Sequence, residues 1–111
     1  MSGKFEISVR KNGEFQFNLK AANGQVVLSS EGYTTKAACL DGIESVRKHA
    51  ASDANFERKT AKDDSPYFSL KAGNGQSIGK SEMYSGVAAR DNGIASVIKH
   101  AADATVVEAN A

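Results

Sequence analysis

The sequence predicts an α+β fold in which two copies of one strand-rich unit, each with a single helix, share one sheet. Three observations carry this. Residues 17–54 and 68–105 align without a gap, and 20 of the 38 paired positions are identical. The first thirty residues alternate apolar and polar positions between Asn-Gly pairs, as strands and hairpins do. After Tyr33, and again after Tyr84, the apolar spacing changes to that of a helix. A unit of roughly 50 residues buries too little surface to be comfortably stable alone, so the copies are expected to share a core.

In order along the chain, Phe5, Ile7 and Val9 alternate with Glu6, Ser8 and Arg10, the mark of a strand with one face buried. Asn12-Gly13 supplies a tight turn. Phe15, Phe17, Leu19 and Ala21 form the inward face of a second strand, and Asn23-Gly24, repeated as Asn74-Gly75, makes the next turn. Residues 26–30 complete a three-stranded antiparallel meander.

Thr34 or Thr35 can cap the helix that follows, and Ser85 stands where Thr34 stands in the second copy. Ala38, Cys39, Gly42, Ile43, Val46 and Ala50 fall within about 140° of arc, an apolar stripe suited to lying on a sheet. A mid-helix glycine costs roughly 1 kcal/mol against alanine, yet Gly42 recurs as Gly93. Both are expected to let a helix approach the sheet closely. Cys39 is matched by Arg90, which must snorkel to the helix edge or turn the helix slightly.

Residues 55–57 begin a strand that aligns with residues 4–6, and residues 106–108 align with both. Residues 62–66 hold the only proline and replace the first copy's Asn-Gly turn without changing register. The order is three strands and a helix, twice, then a strand. The expected architecture is a pseudo-twofold, single antiparallel sheet with both helices on one face. The strand after each helix is exchanged into the other half. The chain is expected to be one domain over residues 1–111, with repeats at about 4–54 and 55–108, and a monomer with an internal pseudo-dimer.

Lys plus Arg at 14 against Asp plus Glu at 13 lacks the basic excess of a nucleic-acid domain. One cysteine, Cys39, excludes an intramolecular disulfide and any zinc site built mainly from cysteines. No apolar signal segment opens the sequence and no long apolar run follows, so a cytoplasmic protein away from membranes is expected.

Residues 19–25 (LKAANGQ), 29–33 (SSEGY) and 42–48 (GIESVRK) together resemble the YegP-like family of uncharacterised bacterial proteins, over nearly the whole chain. The second copy departs from the pattern at Gly73, Met83 and Gly86. The resemblance implies tandem strand-rich repeats joined in one sheet with exchanged C-terminal strands. It also implies that single-copy relatives reach the same architecture as homodimers. It brings no established activity, so no catalytic residue is carried over.

Candidate ligand-binding groups are Ser30, Glu31 and Tyr33 with their counterparts Ser81, Glu82 and Tyr84, a polar trio before each helix, and Lys20 and Lys71 at the hairpin tips. The trio equally suits a structural role at the helix entrance, with the tyrosine ring on the sheet and its hydroxyl in water. His49 and His100 stand near the helix ends, where an imidazolium favours the dipole and can bond the last carbonyls. Two histidines alone make a poor metal site, and Cys39 lies on the buried stripe. No phosphate-loop spacing occurs. No cofactor, metal or catalytic residue is expected.

A non-catalytic binding or assembly module is the leading reading, holding a protein partner through its sheet face or an edge strand. A weak nucleic-acid binder is the alternative, resting on Lys20, Lys71, Arg10, Lys11, Arg58, Lys59 and Lys62. Tyr67 is a possible stacking ring there, but its counterpart is Gln16. An enzyme with Glu31 and His49, or their counterparts Glu82 and His100, converging at the repeat seam is third.

Overall fold

The computed structural model describes residues 3–73 and 75–108. The first copy contributes β1 (Lys4–Val9), β2 (Phe15–Lys20), β3 (Val26–Ser30) and α1 (Lys36–His49). The second contributes β4 (Phe56–Thr60), β5 (Pro66–Lys71), β6 (Ser77–Lys80) and α2 (Val87–Ala101), and β7 (Thr105–Glu108) follows α2. The turns form as their residues dictate. Gly13 and Gly24 take φ of +86°, the left-handed region that glycine enters freely. Asp64, at the place matching Gly13, takes +67°, beside Asp63, whose carboxylate accepts the Ser65 N–H at 3.1 Å. Gly75 repeats the conformation of Gly24, while Asn74 lies outside the described residues.

One seven-stranded sheet runs β4-β5-β6-β3-β2-β1-β7. The halves meet antiparallel where Ser29 pairs with Lys80 and Ser30 with Gly79. Reading outward from that seam gives three matching strands on each side, the expected twofold, with β7 added beyond β1. Each post-helical strand lies in the other half: β4 pairs with β5, and β7 joins β1. The expectation of an antiparallel sheet fails at one edge. β7 runs parallel to β1, Lys4 opposite Thr105 and Phe5 opposite Val106. The twofold would put residues 106–108 antiparallel against β2, as β4 lies against β5 with Phe56 opposite Leu70. β1 already holds that place, with Phe5 opposite Leu19. A strand entering in the same direction can therefore only add outside it, parallel.

The core lies between the sheet and its two helices. Phe5, Phe17, Leu19, Leu28, Phe68 and Leu70 reach it from the strands, and Cys39, Ile43, Val46, Ile94 and Val97 from the helix stripes. Phe17 meets Phe5 edge-on at 5.8 Å and stacks on Tyr33 at 6.2 Å; Phe68 repeats both contacts with Phe56 at 5.7 Å and Tyr84 at 6.2 Å. A β-bulge follows Leu19 and another Leu70, so Val27 and Ile78 turn inward although simple alternation points them out.

Gly42 and Gly93 have the role their recurrence suggests. A Cβ on Gly42 would overlap the Tyr33 hydroxyl and lie 2.8 Å from its Cζ, and one on Gly93 would overlap the Tyr84 hydroxyl and lie 2.7 Å from its Cζ. Across the seam the packing is unequal. Leu28 fills the space over Gly79, where a Cβ would come within 3.1 Å of the leucine Cγ. Both helices also cross the seam, α1 onto β5 and β6 and α2 onto β2 and β3.

Thr35 caps α1, accepting the Ala38 N–H at 3.1 Å. The match of Ser85 to Thr34 gives no second cap, for α2 begins after Gly86 without a side-chain bond. At the other end Arg47 of α1 reaches across to α2, donating to the carbonyls of Ala101 at 3.2 Å and Ala104 at 2.7 Å while lying over the Phe5 ring at 5.1 Å. The Ala101 carbonyl is one that the end of α2 leaves without an intrahelical partner, and Ala104 lies just beyond that end. Arg90 does snorkel: its Nε lies 3.2 Å from Asp91, which also takes Arg58 at 3.3 Å.

Gly42→Ala is expected to destabilise the protein by about 1–3 kcal/mol through overpacking against Tyr33, outweighing the gain in helix propensity. Gly86→Ser, where an added Cβ meets open space, should stabilise it by a few tenths of a kcal/mol. Urea unfolding midpoints of the two variants should therefore move in opposite directions.

Candidate functional site

Each helix leans over the hairpin of the other copy and leaves a cleft there. The first, about 340 Å³, has Tyr33, Ala38, Asp41, Gly42 and Ser45 on one wall and Ala72, Gln76, Ser77 and Ile78 on the other, with Glu31 at its rim. Its twofold counterpart, about 300 Å³, sets Tyr84, Ala89, Asn92, Gly93 and Ser96 against Ala21, Asn23, Gln25 and Val27. Glu82 lines an adjoining depression with Val26 and Met83. The clefts are thus made of both copies, and Asp41 in one is replaced by Asn92 in the other.

The trio predicted before each helix divides into three different environments. Ser30 is buried; its hydroxyl accepts the Phe17 N–H at 2.9 Å and donates to the Glu31 carbonyl at 2.8 Å. Ser81 does the same for Phe68 at 3.0 Å and Glu82 at 2.8 Å. Both are committed to the backbone they organise. Tyr33 is pinned by reciprocal backbone bonds with Phe15 at 2.7 Å, and Tyr84 by its N–H to the Pro66 carbonyl at 2.8 Å. Burial pushes both phenols above their ordinary range; the charges of Cys39 and Glu31 add to this at Tyr33, and that of Glu82 at Tyr84. Burial likewise raises the Cys39 thiol, as its place on the buried stripe requires.

Lys20 and Lys71 lie on the opposite, helix-free face, away from the clefts. Lys20 pairs with Glu6 at 2.8 Å and Lys71 with Glu57 at 3.1 Å, so neither presents an unpaired charge. Lys59 also pairs with Glu57, at 3.0 Å, and holds its carboxyl below the usual range, with Lys71 adding to the effect.

His49 differs from the helix-end imidazolium expected. Its Nδ1 donates to the Ser45 carbonyl at 2.9 Å and its Nε2 accepts the Gly73 N–H at 3.0 Å, which requires a neutral ring. The ring latches α1 to the second copy's hairpin and is not among the residues that line the cleft with Glu31. His100 keeps the carbonyl bond, to Ser96 at 2.8 Å. Among the described residues no three His, Cys, Asp or Glu side chains gather as a metal-ligand set. No helix is long and apolar enough to cross a membrane. The cleft residues Asp41, Ser45 and Gln76 escaped the sequence reading because only apposition of the copies brings them together.

This duplicated geometry matches known proteins. The model of the domain of unknown function DUF1508 matches twice, at residues 11–57 and 61–108. The chain belongs to the DUF1508 family. The two DUF1508 matches begin in the turns before β2 and β5, and each spans two strands and a helix; the first ends within β4 and the second at the end of β7. One relative, the UPF0339 protein in the ptx operon 5' region of Stutzerimonas stutzeri, is 56% identical over 108 residues, 97% of each chain. The solution structure of a UPF0339 protein from Shewanella oneidensis has a TM-score of 0.91 at 49% identity, covering 97% of this chain and 92% of that one. The solution structure of yegP from E. coli, described as a protein of unknown function, has a TM-score of 0.93 at 43% identity, covering 98% and 94%. The expected resemblance to YegP-like proteins therefore holds in sequence and in fold.

Two outcomes follow from these DUF1508 side chains. Ser30→Ala leaves the buried Phe17 N–H without its acceptor and should cost about 1–3 kcal/mol in urea unfolding. Tyr33 and Tyr84 have folded-state values raised above the unfolded one, so burying the neutral phenols stabilises the fold below about pH 10. That contribution is lost as pH rises through the raised values. Phenolate absorbance should show two late-titrating tyrosines whose ionisation coincides with loss of stability, and Tyr33→Phe with Tyr84→Phe should blunt that loss.

Proposed function

We propose that the protein is a non-catalytic binding module that captures an extended segment of a partner protein along the outer edge of β7. The contrast between the two sheet edges carries this reading. At the β4 edge the strand reads Phe-Glu-Arg-Lys-Thr, and its charges are satisfied in place: Arg58 by Asp53 at 3.1 Å and Asp91 at 3.3 Å, Lys59 by Glu57. Such an edge discourages pairing. Among the described residues β7 pairs on one side only; all four of its residues are exposed, and Val106 and Val107 are 40% and 37% exposed on opposite faces. An added strand with an apolar residue on each face would cover both valines while its backbone completes the ladder.

The sheet face is the weaker candidate, since its lysines are already neutralised by neighbouring glutamates. The same pairing counts against nucleic acid, because phosphate affinity depends on cations free to displace counterions. Affinity capture from native extract, followed by hydrogen exchange on the recovered complex, tests the proposal. Slowed exchange at residues 105–108, with capture lost in Val107→Pro, is the expected outcome. Capture unchanged by Val107→Pro, or retention of oligonucleotide that falls steeply with salt, would overturn it.

A further inference from the structure

We infer that β7 is a second occupant of the place on β2 now held by β1, and that Arg47 helps keep it outside. The residues aligned in the three copies of this strand show what the place requires. In β1 and β4, Phe5 and Phe56 face the core opposite Leu19 and Leu70, and Glu6 and Glu57 face Lys20 and Lys71 at 2.8 and 3.1 Å. The residues aligned with them in β7 are Val107 and Glu108. Set against β2 in the same way, Val107 would enter the core and Glu108 would meet Lys20. In its present position β7 is one residue out of that register. Val106 stands beside Phe5 and Val107 beside Glu6, Val107 faces away from the core, and Glu108 pairs with Lys36 at 2.7 Å. A one-residue slip turns every side chain to the other face, so Val107 points away from the core, while Val106, on the helix-bearing face beside Phe5, stays 40% exposed at the edge of the sheet.

The connection is long enough for the inner place. Phe56 lies seven positions after His49, and Val107 lies seven positions after His100. What differs is the restraint. Arg47 holds the Ala101 and Ala104 carbonyls and covers Phe5, fastening the approach to β7 and the ring of β1 at once. The matching residue of α2 is Ile98, which cannot donate these bonds. β1 holds the inner place because phenylalanine buries more apolar surface there than valine does.

No partner is needed for this exchange, and the full-length chain alone tests it. Val107→Phe gives β7 the core residue of the inner register, and Arg47→Ile removes the restraint. In the double variant, hydrogen exchange of the β1 amides should speed up about tenfold or more, by the extra apolar area that β7 can now bury. A second set of resonances should place the residue at position 107 against Leu19. Val106→Phe, which strengthens the present register, should shift exchange of β1 in the opposite direction or leave it unchanged. Equal effects of Val106→Phe and Val107→Phe would overturn the inference, as would a double variant whose β1 amides stay fully protected or whose whole sheet opens together.

Discussion

Everything above the sheet depends on the gaps that Gly42 and Gly93 leave for the tyrosines beneath them. Each tyrosine stacks on the central phenylalanine of its own half, and each helix settles onto the phenol only because no side chain intervenes. A helix normally loses stability from an internal glycine. Here the loss is offset by bringing Ile43 and Val46, or Ile94 and Val97, close enough to close the core. The serine hydroxyls under the phenylalanine backbones and the tyrosine bridges serve the same stack, so most of the repeated residues are accounted for by one packing arrangement made twice.

Much of this was legible in the sequence because the signals were local. Alternation placed the strands, Asn-Gly pairs placed the turns, and the recurrence of Gly42 as Gly93 marked a close approach before any coordinates. What escaped depended on contacts between segments far apart. The bulges that turn Val27 and Ile78 inward follow from pairing with β2 and β5, and nothing in the run of residues 26–30 announces them. The parallel edge arose because two stretches of near-equivalent sequence compete for one neighbour, and pattern reading treats them alike. Lys20 looked like a free cation until the register put Glu6 beside it.

The candidate site illustrates the same division. Ser30, Glu31 and Tyr33 stand together in sequence, yet the serine is spent on backbone, the tyrosine forms a cleft wall and the glutamate reaches its rim. The opposite wall comes from the other copy. His49 is more than a helix-end charge in this arrangement; its two nitrogens tie a helix to a hairpin in the other half. Among the described residues the first copy also supplies the Arg47 bonds to α2 and the Thr35 cap, which Ile98 and Gly86 do not repeat, so the halves share a pattern without sharing every contact.

The meeting of Leu28 with Gly79 has a consequence for ancestry. These positions correspond to one another under the twofold, so an association of two first halves would press leucine on leucine, and one of two second halves would face an unfilled void. With bulk and vacancy divided between them, the two copies meet at this seam as complements, each fitted there to its sibling better than to itself.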